Sequence, residues 1–230
     1  MSKTIFVNGC SFSWGDELQD RRTQAYPKLL HNRLEYKLVD FAECGSSNDK
    51  ILRTTLGFLQ KHKEKKDDMF VIIQWSSILR REFYSKNTES WWKITPSMIN
   101  TKQVADMWYM LQSQEQDNLI FYFQVLFLQL WLEKHGFKYF MFRKDDGKSP
   151  MSIKDGSGNN VTDRYDTKFL NEHQISEINL EAFPSFTDDS LSFQEYAYAR
   201  GGKPKGKLHP DEKSHQIFTD YLYKIVKDSE

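Results

Sequence analysis

Cysteine is nearly absent from this chain of 230 residues, where Cys10 and Cys44 are the only two. Two thiols are too few for a disulfide framework and fit a reducing cytoplasm. Small buried cysteines are the ordinary reading, and a contact between the two sulfurs is the alternative if the strand ends carrying them are neighbours. An excess of charge is missing as well: 32 Lys and Arg balance 32 Asp and Glu, so no global field would hold the protein on nucleic acid or an anionic membrane. The most apolar stretch, Leu119 to Leu132, is broken by Gln124 and Gln129 and is shorter than the roughly 20 residues of a membrane span. It reads as a buried helix. The N-terminus shows no basic segment followed by an apolar core and a small-residue cleavage site, so secretion by that route is not expected. There is neither a Gly-x-Gly-x-x-Gly after the first strand nor a Gly-Lys-Ser/Thr phosphate loop. A phosphate on the helix N-terminus at Gly45 to Asn48 therefore ranks last among the readings.

Apolar material is ample, at 39% hydrophobic residues and 15% aromatics, and the length suits one packed domain over residues 1–230. Thr4 to Val7 reads as a buried strand, and Ala25 to Leu38 has helical spacing at Tyr26, Leu29, Leu30 and Leu34, with Pro27 in its first turn. Leu38 to Phe41 follows as a second strand, then a glycine-serine turn at Cys44 to Asn48, then a helix through Ile51, Leu52, Thr55, Leu56 and Leu59. Met69 to Trp75 is the clearest strand, because Phe70-Val71-Ile72-Ile73 is a continuous run of the kind a parallel sheet buries on both faces. Phe137 to Phe142 is a fourth. Alternating strands and helices predict an α/β fold, a three-layer α/β/α sandwich around a mainly parallel sheet. In such sheets ligands bind at the C-terminal strand edge, where Ser11, Gly45 and the Trp75-Ser76-Ser77 turn would emerge.

Two segments interrupt the alternation. Residues 80–110 are rich in aromatics, with Trp91-Trp92 and Trp108-Tyr109. They predict an insertion or cap at the active edge, or else a hydrophobic underside packed on the domain, and the packed underside is favoured. Residues 143–207 carry turn-forming clusters at Asp145-Asp146-Gly147 and Asp155 to Asn160. They read as loop-rich, with one helical stretch around Phe169 to Leu180.

The chemistry concentrates at the two ends. Gly9-Cys10-Ser11-Phe12-Ser13 follows the first strand, and His209-Pro210 precedes an amphipathic helix bearing His215, Phe218, Tyr221, Leu222 and Ile225. A serine hydroxyl is a weak nucleophile that needs a base within hydrogen-bond reach, and a neutral imidazole can serve near pH 7. In their order along the chain, these residues resemble the SGNH hydrolase superfamily, the GDSL-type esterases and lipases. The compact aromatic chain is similar to small members found in bacteriophages.

The resemblance implies a flavodoxin-like architecture and the cleavage of an ester or O-acyl group, on a carbohydrate or small metabolite, through a serine acyl-enzyme. It implies that Ser11 is the nucleophile and, through its N–H, an oxyanion donor, that the Gly45 N–H is a second donor, and that His209 is the general base. No cofactor or metal is implied. His209 and His215 are six apart rather than the four usual for a helical zinc pair, so His215 reads as a packing or hydrogen-bonding residue.

Two departures qualify the likeness. The family places an asparagine after its third strand, where this chain has Gln74-Trp75-Ser76-Ser77. Ser76, Ser77 or Asn48 are the candidate substitutes, although Asn48 equally suits capping the helix that begins there. The family also carries an aspartate three residues before the histidine, and that position is Gly206. Asp188, Asp189, Asp211 or a backbone carbonyl could orient the imidazole instead. The alternative is a binding or structural protein that has kept the fold, lost catalysis and presents its aromatics to a partner.

Overall fold

The structure, a computed structural model, describes residues 3–94, 113–145, 153–154, 160–161, 168, 170–206 and 209–230. Trp108-Tyr109, most of the two predicted turn clusters and Phe169 lie outside the described residues. Four strands, β1 (Thr4–Asn8), β2 (Lys37–Asp40), β3 (Met69–Trp75) and β6 (Lys138–Arg143), form a parallel sheet in the order β2-β1-β3-β6. A hairpin, β4 (Arg81–Ser85) with β5 (Ser90–Ile94), follows β3, and two short antiparallel pairs come later: β7 (Ile153–Lys154) with β8 (Asn160–Val161), and β9 (Pro204–Lys205) with β10 (His209–Pro210). The helices are α1 (Ser11–Trp14), α2 (Arg21–Gln24), α3 (Tyr26–Leu34), α4 (Asn48–Leu59), α5 (Gln114–His135), α6 (Glu172–Ser176), α7 (Phe193–Tyr198) and α8 (Glu212–Asp228).

Side chains alternate across the sheet with the period of two that strands impose. Ile5, Val7, Phe70, Ile72, Phe140 and Phe142 face α3, α7 and α8. Phe6, Val71, Ile73, Trp75 and Met141 face α4 and α5. Every residue of β3 is buried, as the unbroken apolar run requires of a central strand. The expected α/β/α sandwich is therefore observed. The first helix is shorter than its spacing predicts, because Glu35 turns left-handed at φ 59° and releases Lys37 to pair as β2. The helix expected around Phe169 to Leu180 contracts to α6, held by a capping box between Asn171 and Gln174.

Two expectations about apolar segments are corrected. The stretch Leu119 to Leu132 lies in α5, which is buried on one face only. Phe123, Phe127 and Leu130 are each 54% exposed. The two glutamines that break the apolar run point inward, where Gln124 Nε2 donates to Asp49 and Gln129 bonds Glu177 O and Asn179 N. Hydropathy mispredicted the faces because the amide nitrogens of both residues, and the carbonyl oxygen of Gln129, find hydrogen-bond partners there. The aromatic insertion, over its described part, is not a packed underside. Phe83, Tyr84, Trp91 and Trp92 are between 47% and 55% exposed. Polar contacts hold the hairpin instead: Arg53 grips Glu82 with two 2.9 Å bonds, Arg81 pairs with Asp117, and Lys93 Nζ reaches Glu43 and Cys44 O. Among the described residues no helix is long and apolar enough to cross a membrane.

Candidate functional site

The C-terminal ends of β1 and β3 lie side by side, and the turn after each carries the polar residues that the sequence singled out. Gly9 must be a glycine, since a Cβ there would stand 2.5 Å from Ser13 Oγ and 2.7 Å from Gln74 Oε1. The chain then turns into α1, whose N-cap Cys10 supplies no side-chain bond. Gln74, the last polar residue of β3, does so from across the sheet. Its Oε1 accepts from Cys10 N at 3.3 Å, from Ser13 N at 2.9 Å and from Ser13 Oγ, while Nε2 donates to Cys10 Sγ at 3.3 Å. The amide thus satisfies helix-terminal N–H groups that would otherwise be buried without partners. Asn8 anchors the same turn from below by donating to Ile51 O, Thr54 and Thr55 and accepting from Gly9 N.

Ser11 is buried, and among the described residues its hydroxyl makes one weak contact, to Cys10 Sγ at 3.9 Å. Across from it, the turn after β2 is tied down by Glu43 N donating to Gly9 O and by Cys44 Sγ donating to Asp16 at 3.2 Å. Gly45 adopts φ 77°, which glycine alone takes without strain. The thiol of Cys44 is pushed up to about 11, first by burial and then by the hydrogen bond to, and charge of, Asp16. It is a thiol at neutral pH, while Cys10 is buried and both are free.

The helix-capping role weighed for Asn48 belongs to Ser47, whose hydroxyl accepts from Lys50 N. Asn48 is buried and instead clasps the end of β3, accepting from Ser76 N at 2.7 Å and donating to Ser76 O at 3.2 Å. This brings Asn48 and Ser76 together where the resemblance expects one asparagine. Ser76 Oγ accepts from Arg80, and Ser77 Oγ accepts from Leu79 N, which closes a turn.

His209 arrives at this edge from the far end of the chain. Its ring packs edge-on against Phe12, with centroids 5.3 Å apart. Among the described residues, no hydrogen bond joins either ring nitrogen to Ser11. The ring instead faces carboxylates, with Nε2 3.7 Å from Asp16 Oδ2 and Nδ1 3.3 Å from Glu17 Oε2. The three aspartates weighed from the sequence are committed elsewhere. Asp188 caps a short 3-10 turn at Ser190, Asp189 pairs with Arg143, and Asp211 caps α8 through Ser214. Asp16, Glu17 and Gln74 were missed by sequence reasoning. The one available signal was an amide ending an otherwise apolar strand.

His215 is fully buried, accepts from Tyr26 N through Nδ1 at 3.1 Å and stacks on the Tyr26 ring. Burial lowers its pKa from 6.5 to about 3. The folded protein thus keeps the ring neutral while the unfolded chain takes up a proton below pH 6.5. Stability from this residue is complete above that pH and declines toward pH 3, with a limiting slope of about 1.4 kcal/mol per pH unit. Urea unfolding between pH 7.5 and 4.5 should show this slope in the wild type and lose it in His215→Gln. Equal slopes would exclude the effect.

Several solved hydrolases are similar in fold. A GDSL-like lipase from Bacteroides thetaiotaomicron superposes with a TM-score of 0.54 at 8% identity, over 99% of this chain and 89% of that one. A psychrotrophic esterase from Pseudoalteromonas sp., in a structure inhibited by monoethylphosphonate, gives 0.50 at 13% identity over 99% and 98%. A member of the lipolytic G-D-S-L family from Veillonella parvula gives 0.50 at 10% identity over 97% and 98%. At these identities the likeness concerns the fold alone: the sheet with its flanking helices is similar to that of these hydrolases. Comparison by sequence with curated proteins finds no match. The model of a family of unknown function, DUF6071, matches residues 14–229, nearly the whole chain, and the protein belongs to that family.

Proposed function

We propose that the chain is a serine hydrolase that cleaves a small ester or O-acyl group through an acyl-enzyme on Ser11. One observation carries this reading: residues almost 200 positions apart, Ser11 and His209, reach the same sheet edge, with His209 packed on the residue after the serine. Among the described residues the Ser11 hydroxyl is held by a 3.9 Å contact to sulfur alone, so turning it toward the imidazole costs little. Such bonds are often long in free enzymes and tighten when substrate binds. As Oγ attacks the acyl carbon, its proton passes to His209, and the carbonyl electron pair moves onto oxygen. The N–H groups of Ser11 and Gly45 are the donors for that oxyanion, and Asn48 is the candidate third, since one of its two amide hydrogens is spent on Ser76 O. The protonated ring then gives its proton to the leaving alkoxide.

Trp91 and Trp92 stand exposed on a hairpin that Lys93 ties to the Gly45 turn, which supports an acyl carbohydrate as substrate through stacking on a sugar face. A second reading, a binding protein that has lost catalysis, is favoured by the lack, among the described residues, of a hydrogen bond between Ser11 and His209 and by the same exposed rings. A fluorophosphonate probe separates the two. It should label wild-type protein at Ser11, as found by peptide mapping, and leave Ser11→Ala unlabelled. Native protein that stays unlabelled and hydrolyses no p-nitrophenyl acetate would overturn the hydrolase reading.

A further inference from the structure

We propose that Glu17 is the carboxylate that orients His209, taking through space the place that the chain leaves empty at Gly206. This assignment rests on the hydrolase reading for its catalytic meaning, but its geometry stands apart from it. A Cβ built on Gly206 would lie 2.7 Å from Glu17 Oε2, 2.8 Å from Cδ and 3.0 Å from Oε1. The Glu17 carboxylate therefore fills the volume that a side chain at 206 would occupy. The same Oε2 accepts from His209 N at 3.3 Å and lies 3.3 Å from Nδ1, a buried nitrogen that forms no hydrogen bond among the described residues. A carboxylate set against Nδ1 holds the proton on that nitrogen and leaves Nε2 free as the base.

The backbone is arranged around this contact. Glu17 sits at φ 65° and Gly206 at φ 60°. A left-handed conformation is uncommon for a non-glycine residue and persists where the surroundings impose it. Gly15 closes α1 at φ 77° and sends residues 16 and 17 back toward β10. Among the described residues the other groups facing the ring are Phe12, in a T-shaped contact, and Asp16 at Nε2, 3.7 Å away, whose Oδ2 also accepts from Cys44. Asp16 is 39% exposed at its side chain and lies at the nitrogen that must receive the serine proton, so it cannot supply the orienting role. During the reaction Glu17 stays ionised. The proton taken from Ser11 resides on Nε2, Nδ1 keeps its own, and the carboxylate balances the resulting ring charge.

The test combines two readouts. In protein carrying 15N-labelled histidine, the His209 Nδ1 resonance should report a protonated nitrogen in the wild type and shift toward the unprotonated form in Glu17→Ala. Transplanting the acid in Glu17→Ala/Gly206→Asp should restore it, since aspartate tolerates the left-handed conformation better than most residues. For p-nitrophenyl acetate, kcat should fall on the order of 10²- to 10⁴-fold in Glu17→Ala with KM little changed, and recover at least about tenfold in the double variant. Glu17→Gln keeps the size, and its own fall in kcat would separate loss of charge from loss of packing. An Nδ1 resonance that is the same in wild type, Glu17→Ala and Glu17→Gln overturns the assignment, whatever the activity. If the wild type proves inactive and unlabelled, the hydrolase reading fails, and the resonance alone still decides the role of Glu17.

Discussion

His209→Ala is expected to lower kcat for p-nitrophenyl acetate by about 10⁴-fold or more while KM changes little, because it removes the imidazole that reaches the serine edge. Among the described residues, the groups bonded within the serine turn are poor acceptors for the Ser11 proton. Cys10 Sγ, its present contact, is itself a donor-bearing thiol, and Gln74 has its carbonyl oxygen saturated by three donors. His215 cannot substitute, since it is buried on Tyr26 and its pKa is lowered to about 3 by desolvation. The fold should survive the change. The His209 side chain is 15% exposed and packs on Phe12, so the variant should lose a face-to-edge contact worth on the order of 1 kcal/mol. Steady-state kinetics alongside urea unfolding makes the comparison. A variant that retains more than about a tenth of wild-type kcat would remove His209 from the reaction.

Gln74→Leu is expected to destabilise the protein by about 2 to 4 kcal/mol, the largest stability effect we derive. The side chain is fully buried, and packing is not the main source of the cost. It comes from stranded donors. Cys10 N and Ser13 N lose their acceptor, and each unsatisfied buried N–H costs about 1 to 3 kcal/mol. Ser13 Oγ fares better, because Tyr26 OH at 2.7 Å can still accept from it. Since α1 has no other N-terminal cap, the loss should also loosen the serine turn, and fluorophosphonate labelling should slow by more than the fraction unfolded explains. Urea unfolding that shifts by less than about 1 kcal/mol would mean that water replaces the amide, and that Gln74 does not organise the turn.

Much of the fold was legible in short windows. The run Phe70 to Ile73 announced a central parallel strand, and Met69 to Trp75 is the strand observed. The glycine-serine turn at Cys44 to Ser47 preceded a helix, as expected of a βα unit. Legibility failed where the partner lay far along the chain. Gln124 and Gln129 looked like defects in an apolar segment, and they face inward because Asp49, Glu177 and Asn179 meet them there. The hairpin aromatics looked like core and stand exposed because three charged pairings and a bond from Lys93 to Cys44 O, not apolar contacts, dock the hairpin. Asn48 suited a cap by its position, and its amide is spent 28 residues away on Ser76.

By itself, the sequence determined the layering of the protein and the order of its site segments, because strand and helix periodicity and glycine turns are properties of a few consecutive residues. It also showed that position 206 holds no acid. Only the tertiary structure decided what stands there instead. Glu17 and Gly206 are brought together by the return of α1 toward β10, and no window of sequence contains both. A carboxylate can be replaced through space wherever the backbone leaves room for it, and the absence of a Cβ at Gly206 is that room.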